Sequence, residues 1–195
     1  MNSINGNQNG GKELKNITQN FLSQEDLDLV WNEFNENPRW RYTKMAGENM
    51  LWEYILFDNI DTHLRLENGK WDFENKSPIW YDIYKKVIDI ESDNFIPRTL
   101  LINGQTQTLD SAIHSDYNPT HPGEYTTHLI YLNKKWQNEW GGETTFYDRE
   151  YNVIDTVYPE PGKLLSYDAR QKHKGHGPII PNTLRVTLAI QGTYA

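Results

Sequence analysis

From Ile96 onward the chain is a succession of short extended runs broken by Gly, Pro, Asn and Asp: Arg98 to Asn103, Thr108 to His114, Thr126 to Leu132, Glu143 to Tyr147, Lys163 to Tyr167 and Leu184 to Gln191. Many short strands with turn formers between them restrict the fold to an all-β sandwich or barrel, of which the jelly roll is one form.

Two helices are expected ahead of this β region. Leu27, Val30, Trp31 and Phe34 fall at i, i+3, i+4 and i+7, the apolar stripe of a helix. Ser23 is placed as its N-cap with Asp26 at the third helical position, Leu22 and Leu27 as a hydrophobic staple, and Pro38 as its end. Ser77-Pro78 opens the second helix, whose buried face is Trp80, Ile83, Tyr84 and Val87. Both stripes are read as packing against a sheet. Between the helices, Trp40 to Tyr42 and Leu51 to Phe57 read as short strands and Asp58, Asn59, Asn68 and Gly69 as turn formers.

Residues 1–12 are mostly Asn, Gly, Ser and Gln, a composition that cannot offset the entropy of ordering, and are expected to form a flexible tail. The remainder, 13–195, is expected to form one domain, with helical support over about 20–92 and the β core over about 96–195. There is no internal repeat.

The 195 residues include no cysteine, which removes disulfides, zinc ribbons and thiol nucleophiles, so any metal is held by nitrogen and oxygen. A net charge of −8 argues against nucleic acid as a partner. No apolar run approaches the roughly 18 residues of a membrane span, and no basic-then-apolar leader opens the chain. The expected location is cytoplasmic.

The motif that carries chemistry is His114-Ser115-Asp116, joined by a distant histidine in Asp168-Ala169-Arg170-Gln171-Lys172-His173-Lys174-Gly175-His176. Residues i and i+2 of an extended segment point to the same side, so His114 and Asp116 can supply two ligands to one metal. Two imidazoles and one carboxylate on one face leave the opposite face open, the arrangement that suits non-haem Fe(II) oxygenases. Either His173 or His176 is a candidate for the third position.

Further along lie Ile130-Tyr131-Leu132-Asn133 with Trp136, then Gly141-Gly142-Glu143-Thr144-Thr145-Phe146, Pro161-Gly162-Lys163-Leu164-Leu165-Ser166-Tyr167-Asp168, and Leu184-Arg185-Val186-Thr187-Leu188. In this order they resemble the core of the 2-oxoglutarate-dependent Fe(II) dioxygenases, prolyl-hydroxylase-like branch, over roughly residues 96 to 195. The resemblance implies a double-stranded β-helix, the cupin-like jelly roll, supported by N-terminal helices. It implies Fe(II) on His114, Asp116 and His173, because the family's distal histidine follows a strand and an aspartate-containing loop and precedes a proline, here Pro178. His63, His121 and His128 are read as structural, with His128 on a candidate strand three residues before Tyr131.

By the same resemblance Arg185 anchors the far carboxylate of 2-oxoglutarate, where a planar pair of donors suits the anion. Tyr131 and Thr187 assist it, and Asn103 faces the cosubstrate. Gly141-Gly142 forms a tight turn beside the pocket, and Trp136 and Trp140 either pack over it or line a substrate groove. The implied reaction is oxidative decarboxylation of 2-oxoglutarate to succinate and CO2, coupled to hydroxylation of a substrate C–H bond, with ascorbate as a supporting reductant. Asp116 is retained where halogenating relatives replace the carboxylate, which favours hydroxylation. A prolyl residue in a protein or peptide is the expected substrate, and a small molecule is the alternative. Collagen-type prolyl hydroxylases usually carry lysine at the anchor, so Arg185 aligns the chain with the oxygen-sensing and other arginine-anchored relatives. The competing classes are a cupin-type module that binds metal or ligand without turnover and a carbohydrate-binding β-sandwich.

Overall fold

The computed structural model describes residues 15–44, 50–55, 64–65, 78–117 and 123–194. In chain order the elements are β1 (Lys15–Thr18), α1 (Gln24–Glu36), β2 (Trp40–Lys44), β3 (Met50–Tyr54), β4 (Leu64–Arg65), α2 (Pro78–Ile90), β5 (Phe95–Gln105), β6 (Tyr125–Tyr131), a 3-10 turn (Asn138–Trp140), β7 (Thr144–Tyr147), β8 (Val153–Val157), β9 (Leu164–Asp168), β10 (Lys172–Gly175) and β11 (Arg185–Tyr194). The expected flexible tail, the Ser77 cap, the turn formers from Asp58 to Gly69, His63 and His121 lie outside the described residues.

Two antiparallel sheets face one another. The larger runs β1-β9-β6-β11-β5-β3-β2, with β4 also on β5, and the smaller runs β10-β7-β8. Successive side chains of a strand point to opposite faces, and the main sheet uses that period strictly. Leu100, Ile102, Ile130, Leu164, Val186, Leu188 and Ile190 form one core with Leu27, Val30 and Phe34 of α1 and Trp80, Ile83 and Val87 of α2. Leu101, Leu129, Tyr131, Leu165, Tyr167 and Ala189 face the smaller sheet, where Phe146 and Val157 meet them. Even-numbered positions of the central strands therefore face the helices, and odd-numbered positions face the interior of the sandwich. This is the double-stranded β-helix with helical support that the motifs implied.

α1 begins as expected, because Ser23 accepts from the Asp26 amide (3.1 Å) while the Asp26 carboxylate accepts from the Ser23 amide (2.8 Å). The staple residues Leu22 and Leu27 are both buried in the helix-side core. One expected strand is absent: residues 106–117 form a loop that touches strand geometry only at His114, bridged to His173. Asp110 organises that loop, bonding the Gly177 amide (3.0 Å), Lys174 (2.7 Å) and His176 (3.2 Å). Among the described residues, no helix is long and apolar enough to cross a membrane.

Candidate active site

The 106–117 loop and β10 bring His114, Asp116 and His173 together, with one potential ligand atom from each within 4.8 Å of the others. The backbone does most of this work. His114 and His173 exchange amide-to-carbonyl bonds of 3.0 and 2.8 Å, which sets their rings 4.3 Å apart, and the Asp116 amide donates to the Ala169 carbonyl (2.9 Å). His114 Nε2 then lies 3.5 Å from Asp116 Oδ1, and His173 Nε2 lies 3.6 Å from Asp116 Oδ2.

Both imidazoles are held in one tautomer by the same device. His114 Nδ1 is 2.9 Å from the Ala112 carbonyl and His173 Nδ1 is 3.0 Å from the Gln171 carbonyl. A carbonyl only accepts, so in the neutral ring each Nδ1 carries the proton and each Nε2 is left with the lone pair. Backbone acceptors of this kind commonly orient metal-binding histidines. His176, the other candidate for the third position, is turned to Asp110 instead.

Burial disfavours a charged Asp116 carboxylate, but the flanking imidazoles and the Thr127 hydroxyl outweigh it and hold its pKa at about 2. Burial also opposes a charged His114, yet its contact with Asp116 raises its pKa; at the deeper His173 burial prevails and lowers it. The set offers two neutral nitrogens and one anionic oxygen and no sulfur, which fits Fe(II) held on one face.

On the odd-numbered face of the main sheet, Arg185 is buried at 2% exposure. Its Nε donates to the Gly142 carbonyl (2.6 Å), Nη1 to Gln105 Oε1 (2.5 Å) and Nη2 to Thr144 Oγ1 (2.9 Å), and its guanidinium lies 5.3 Å from the Tyr131 ring centre. Burial lowers its pKa, and burial likewise raises that of Tyr131, whose hydroxyl pairs with Thr144 Oγ1 at 2.7 Å. Thr187 stands between Tyr131 and Asn103 across the strands. Asn103 Oδ1 is buried with no hydrogen-bond partner among the described residues, an orphan that a ligand in this space would satisfy.

The glycine turn has a direct part. At Gly142 φ is +79°, and a Cβ there would lie 2.6 Å from the Trp136 ring, so only glycine lets its carbonyl reach Arg185 beneath that indole. Trp136 packs over the turn, with Nε1 on the Gly141 carbonyl (2.9 Å) and Trp140 against its ring. His128 points the other way, to the helix side, between Ser166 (2.8 Å) and Glu91 (2.9 Å).

Sequence reasoning overlooked Gln105, Thr127, Thr144 and Tyr167. Gln105 spends its amide N–H groups on the Leu109 and Gly175 carbonyls, both at 2.9 Å, leaving Oε1 aimed at Arg185. The available signal was parity: Gln105 is two residues beyond Asn103, and Thr127 four before Tyr131, so each shares the interior face with a residue already singled out.

Residues 102–189 match the 2OG-Fe(II) oxygenase superfamily model, a span that contains every one of these side chains. No curated protein matches the sequence. Solved structures of the same fold include a prolyl hydroxylase from Trichoplax adhaerens in complex with a hypoxia inducible factor oxygen degradation domain peptide fragment (18% identity, 93% of this chain and 84% of that one, TM-score 0.59). A Pseudomonas putida prolyl-4-hydroxylase (12% identity, 93% of each chain, TM-score 0.59) is another. The viral collagen prolyl hydroxylase of Paramecium Bursaria Chlorella virus-1, in its 2OG complex, is a third (14% identity, 95% of this chain and 98% of that one, TM-score 0.54). The oxygenase model thus matches the stretch from β5 to β11, and that match on a prolyl-hydroxylase fold supports a 2OG-Fe(II) oxygenase, a family whose cofactor is Fe(II) and whose cosubstrate is 2-oxoglutarate.

Proposed function

We propose that His114, Asp116 and His173 hold Fe(II), that Arg185 with Tyr131 binds the far carboxylate of 2-oxoglutarate, and that the enzyme hydroxylates a C–H bond of a prolyl residue in a protein or peptide, releasing succinate and CO2. The observation that carries this reading is the state of Arg185. Its guanidinium has five N–H donors, and three have neutral acceptors in the protein. Among the described residues no carboxylate hydrogen-bonds it. A buried cation is costly unless an anion meets it; the Glu143 carboxylate and the Tyr131 hydroxyl ease that cost only from beside it, and a carboxylate ligand would add a direct charge partner and further acceptors. A metal-binding jelly roll without turnover has no use for such a group.

When bound, the iron and cosubstrate supply the oxidising chemistry, and the protein supplies position and exclusion of water. Gln105, Thr144 and the Gly142 carbonyl fix the plane of the Arg185 guanidinium, so the anion meets a preset fork. Tyr131 adds a neutral hydroxyl on the same side. Thr187 and Asn103 are assigned to the polar wall beside the cosubstrate, and the Asn103 amide, turned either way about its terminal bond, offers an acceptor or a donor there. Ascorbate is assigned as an external reductant that keeps the iron ferrous. The peptide held by the Trichoplax adhaerens enzyme supports a peptide substrate here.

The test needs no substrate. Adding 2-oxoglutarate anaerobically to the Fe(II)-loaded protein should give a visible metal-to-ligand charge-transfer band, retained in His176→Ala and lost in His173→Ala. Iron binding without a band in the wild type would leave a metal-binding jelly roll and refute the oxygenase assignment. Mass spectrometry of proline-containing peptides, scanning for one added oxygen, then tests the substrate class.

A further inference from the structure

We infer that Tyr167 and Thr127 are positioning residues of the metal centre, which together occupy Asp116 Oδ2 and so commit Oδ1 alone to the metal. The inference rests on the metal assignment above and adds to it which carboxylate oxygen binds, and what decides that.

Thr127 Oγ1 donates to Asp116 Oδ2 at 2.7 Å, and the Tyr167 hydroxyl donates to the same oxygen at 3.2 Å. A carboxylate oxygen has two lone-pair sites, and these two donors take both. Oδ1 is left on the side of His114 Nε2, 3.5 Å away.

Packing fixes both donors in place. Thr127 and Tyr167 are directly paired across β6 and β9, both at odd-numbered interior positions, and both are buried. The Tyr167 ring is wedged edge-on between Phe146 (5.2 Å, 74°) and His173 (5.0 Å, 65°). Its hydroxyl also lies 3.2 Å from His173 Nε2. In the metal-free chain the single phenolic proton is shared between that nitrogen and Oδ2. When the Nε2 lone pair is given to a metal, the proton goes wholly to Oδ2, so metal loading strengthens the bond that aims Asp116. The hydroxyl thus serves the site in both states. It satisfies the buried ligand atoms before loading and fixes the carboxylate afterwards.

Co(II) is the probe, because its d–d absorption reports the ligand set without turnover. Tyr167→Phe and Thr127→Val are each expected to weaken Co(II) binding by about 10- to 100-fold, the usual loss when an outer-shell partner of a ligand is removed, and to shift the d–d bands as Oδ2 is freed to join the metal. Thr127→Ser, which restores the hydroxyl, should recover both the affinity and the spectrum. A merely structural tyrosine would lower the melting temperature of the metal-free protein and leave the spectrum of the loaded one unchanged. Wild-type Co(II) affinity and bands in Tyr167→Phe and Thr127→Val overturn this role while leaving the metal site standing. Failure of the wild type to take up Co(II) overturns the metal site and this role together.

Discussion

The two faces of the main sheet are made by the same strands and differ in almost every chemical respect. Toward the helices, β5, β6, β9 and β11 present Leu100, Ile102, Ile130, Leu164, Val186, Leu188 and Ile190, closed by Trp80, Ile83 and Val87. Toward the interior, neighbouring residues of those strands present Asn103, Gln105, Thr127, Tyr131, Tyr167, Arg185 and Thr187, on the face that Thr127 and Tyr167 tie to Asp116. One face gains free energy by burying apolar surface. The other gives some back, holding a buried cation and an amide oxygen with no partner among the described residues. The division of labour is by parity along each strand, so adjacent residues in sequence serve unrelated ends.

That contrast is open to direct attack, and the largest effect is expected on the interior side. Asp116→Ala should abolish 2-oxoglutarate turnover, by at least about a thousandfold, equivalent to about 4 kcal/mol, while the melting temperature of the metal-free protein stays within a few degrees. Succinate release and a thermal melt read the two quantities separately. Retained turnover would remove Asp116 from the site.

On the helix side the sign pattern should reverse. Trp80 is fully buried, and Trp80→Ala should cost about 3–5 kcal/mol of stability, with the folded fraction keeping its 2-oxoglutarate affinity. Trp80→Phe sharpens the point. The buried indole N–H has no partner among the described residues, so removing it recovers part of what the smaller ring loses, and the penalty should be well below that of alanine. Chemical denaturation measures both, and equal penalties would mean that the N–H is satisfied.

Arg185→Lys should be intermediate in size. A lysine keeps the charge but loses the planar fork that Gln105, Thr144 and Gly142 hold in place, so 2-oxoglutarate affinity should fall about 10- to 100-fold, roughly 1.4–2.7 kcal/mol. Anaerobic titration of the charge-transfer band measures this, and an unchanged affinity would mean that the anchor is a point charge only.

How much of this could be read from the chain depends on whether a role was local. The α1 cap, its apolar stripe, the strands through Asn103, Tyr131 and Thr187, and the convergence of His114, Asp116 and His173 all rest on spacing within a segment or on an ordered motif, and the structure shows each of them. β10 is different. Lys172-His173-Lys174-Gly175 has no apolar alternation and is a strand only because β7 pairs with it. β1 is an edge strand whose Ile17 stays 43% exposed, again invisible to a pattern of burial. The segment from Thr108 to His114 alternates like a strand but is bent by the bonds that Asp110 makes to Lys174, His176 and Gly177. Those same bonds turn His176 to Asp110, while His173 lies beside His114 and Asp116. Tyr167, Thr127 and Gln105 went unnoticed for a related reason, since each acquires its role from the residue opposite it on another strand.

The smallest effect concerns the boundary between the faces. His128 and Ser166 occupy even-numbered positions near the open end of the sheet, just past the last turn of α2, where Glu91 reaches back to them. Burial disfavours the charged Glu91 carboxylate, but the His128 ring 2.9 Å away and the hydrogen bond from Tyr194 outweigh it and hold its pKa below the ordinary glutamate value. A folded-state pKa below the unfolded one means that the unfolded chain binds the proton more readily. The contribution of Glu91 is therefore fully present above the unfolded pKa, near 4.3, and is lost as the pH falls through the lower folded value. Glu91→Gln removes this titration, so its melting temperature should lie below that of the wild type near neutral pH and converge on it as the solution is acidified below about pH 4. Because the carboxylate is only partly buried, the gap should be small. A constant difference across the whole range would mean that Glu91 acts through packing, and would leave the helix-side face without an electrostatic tie at its rim.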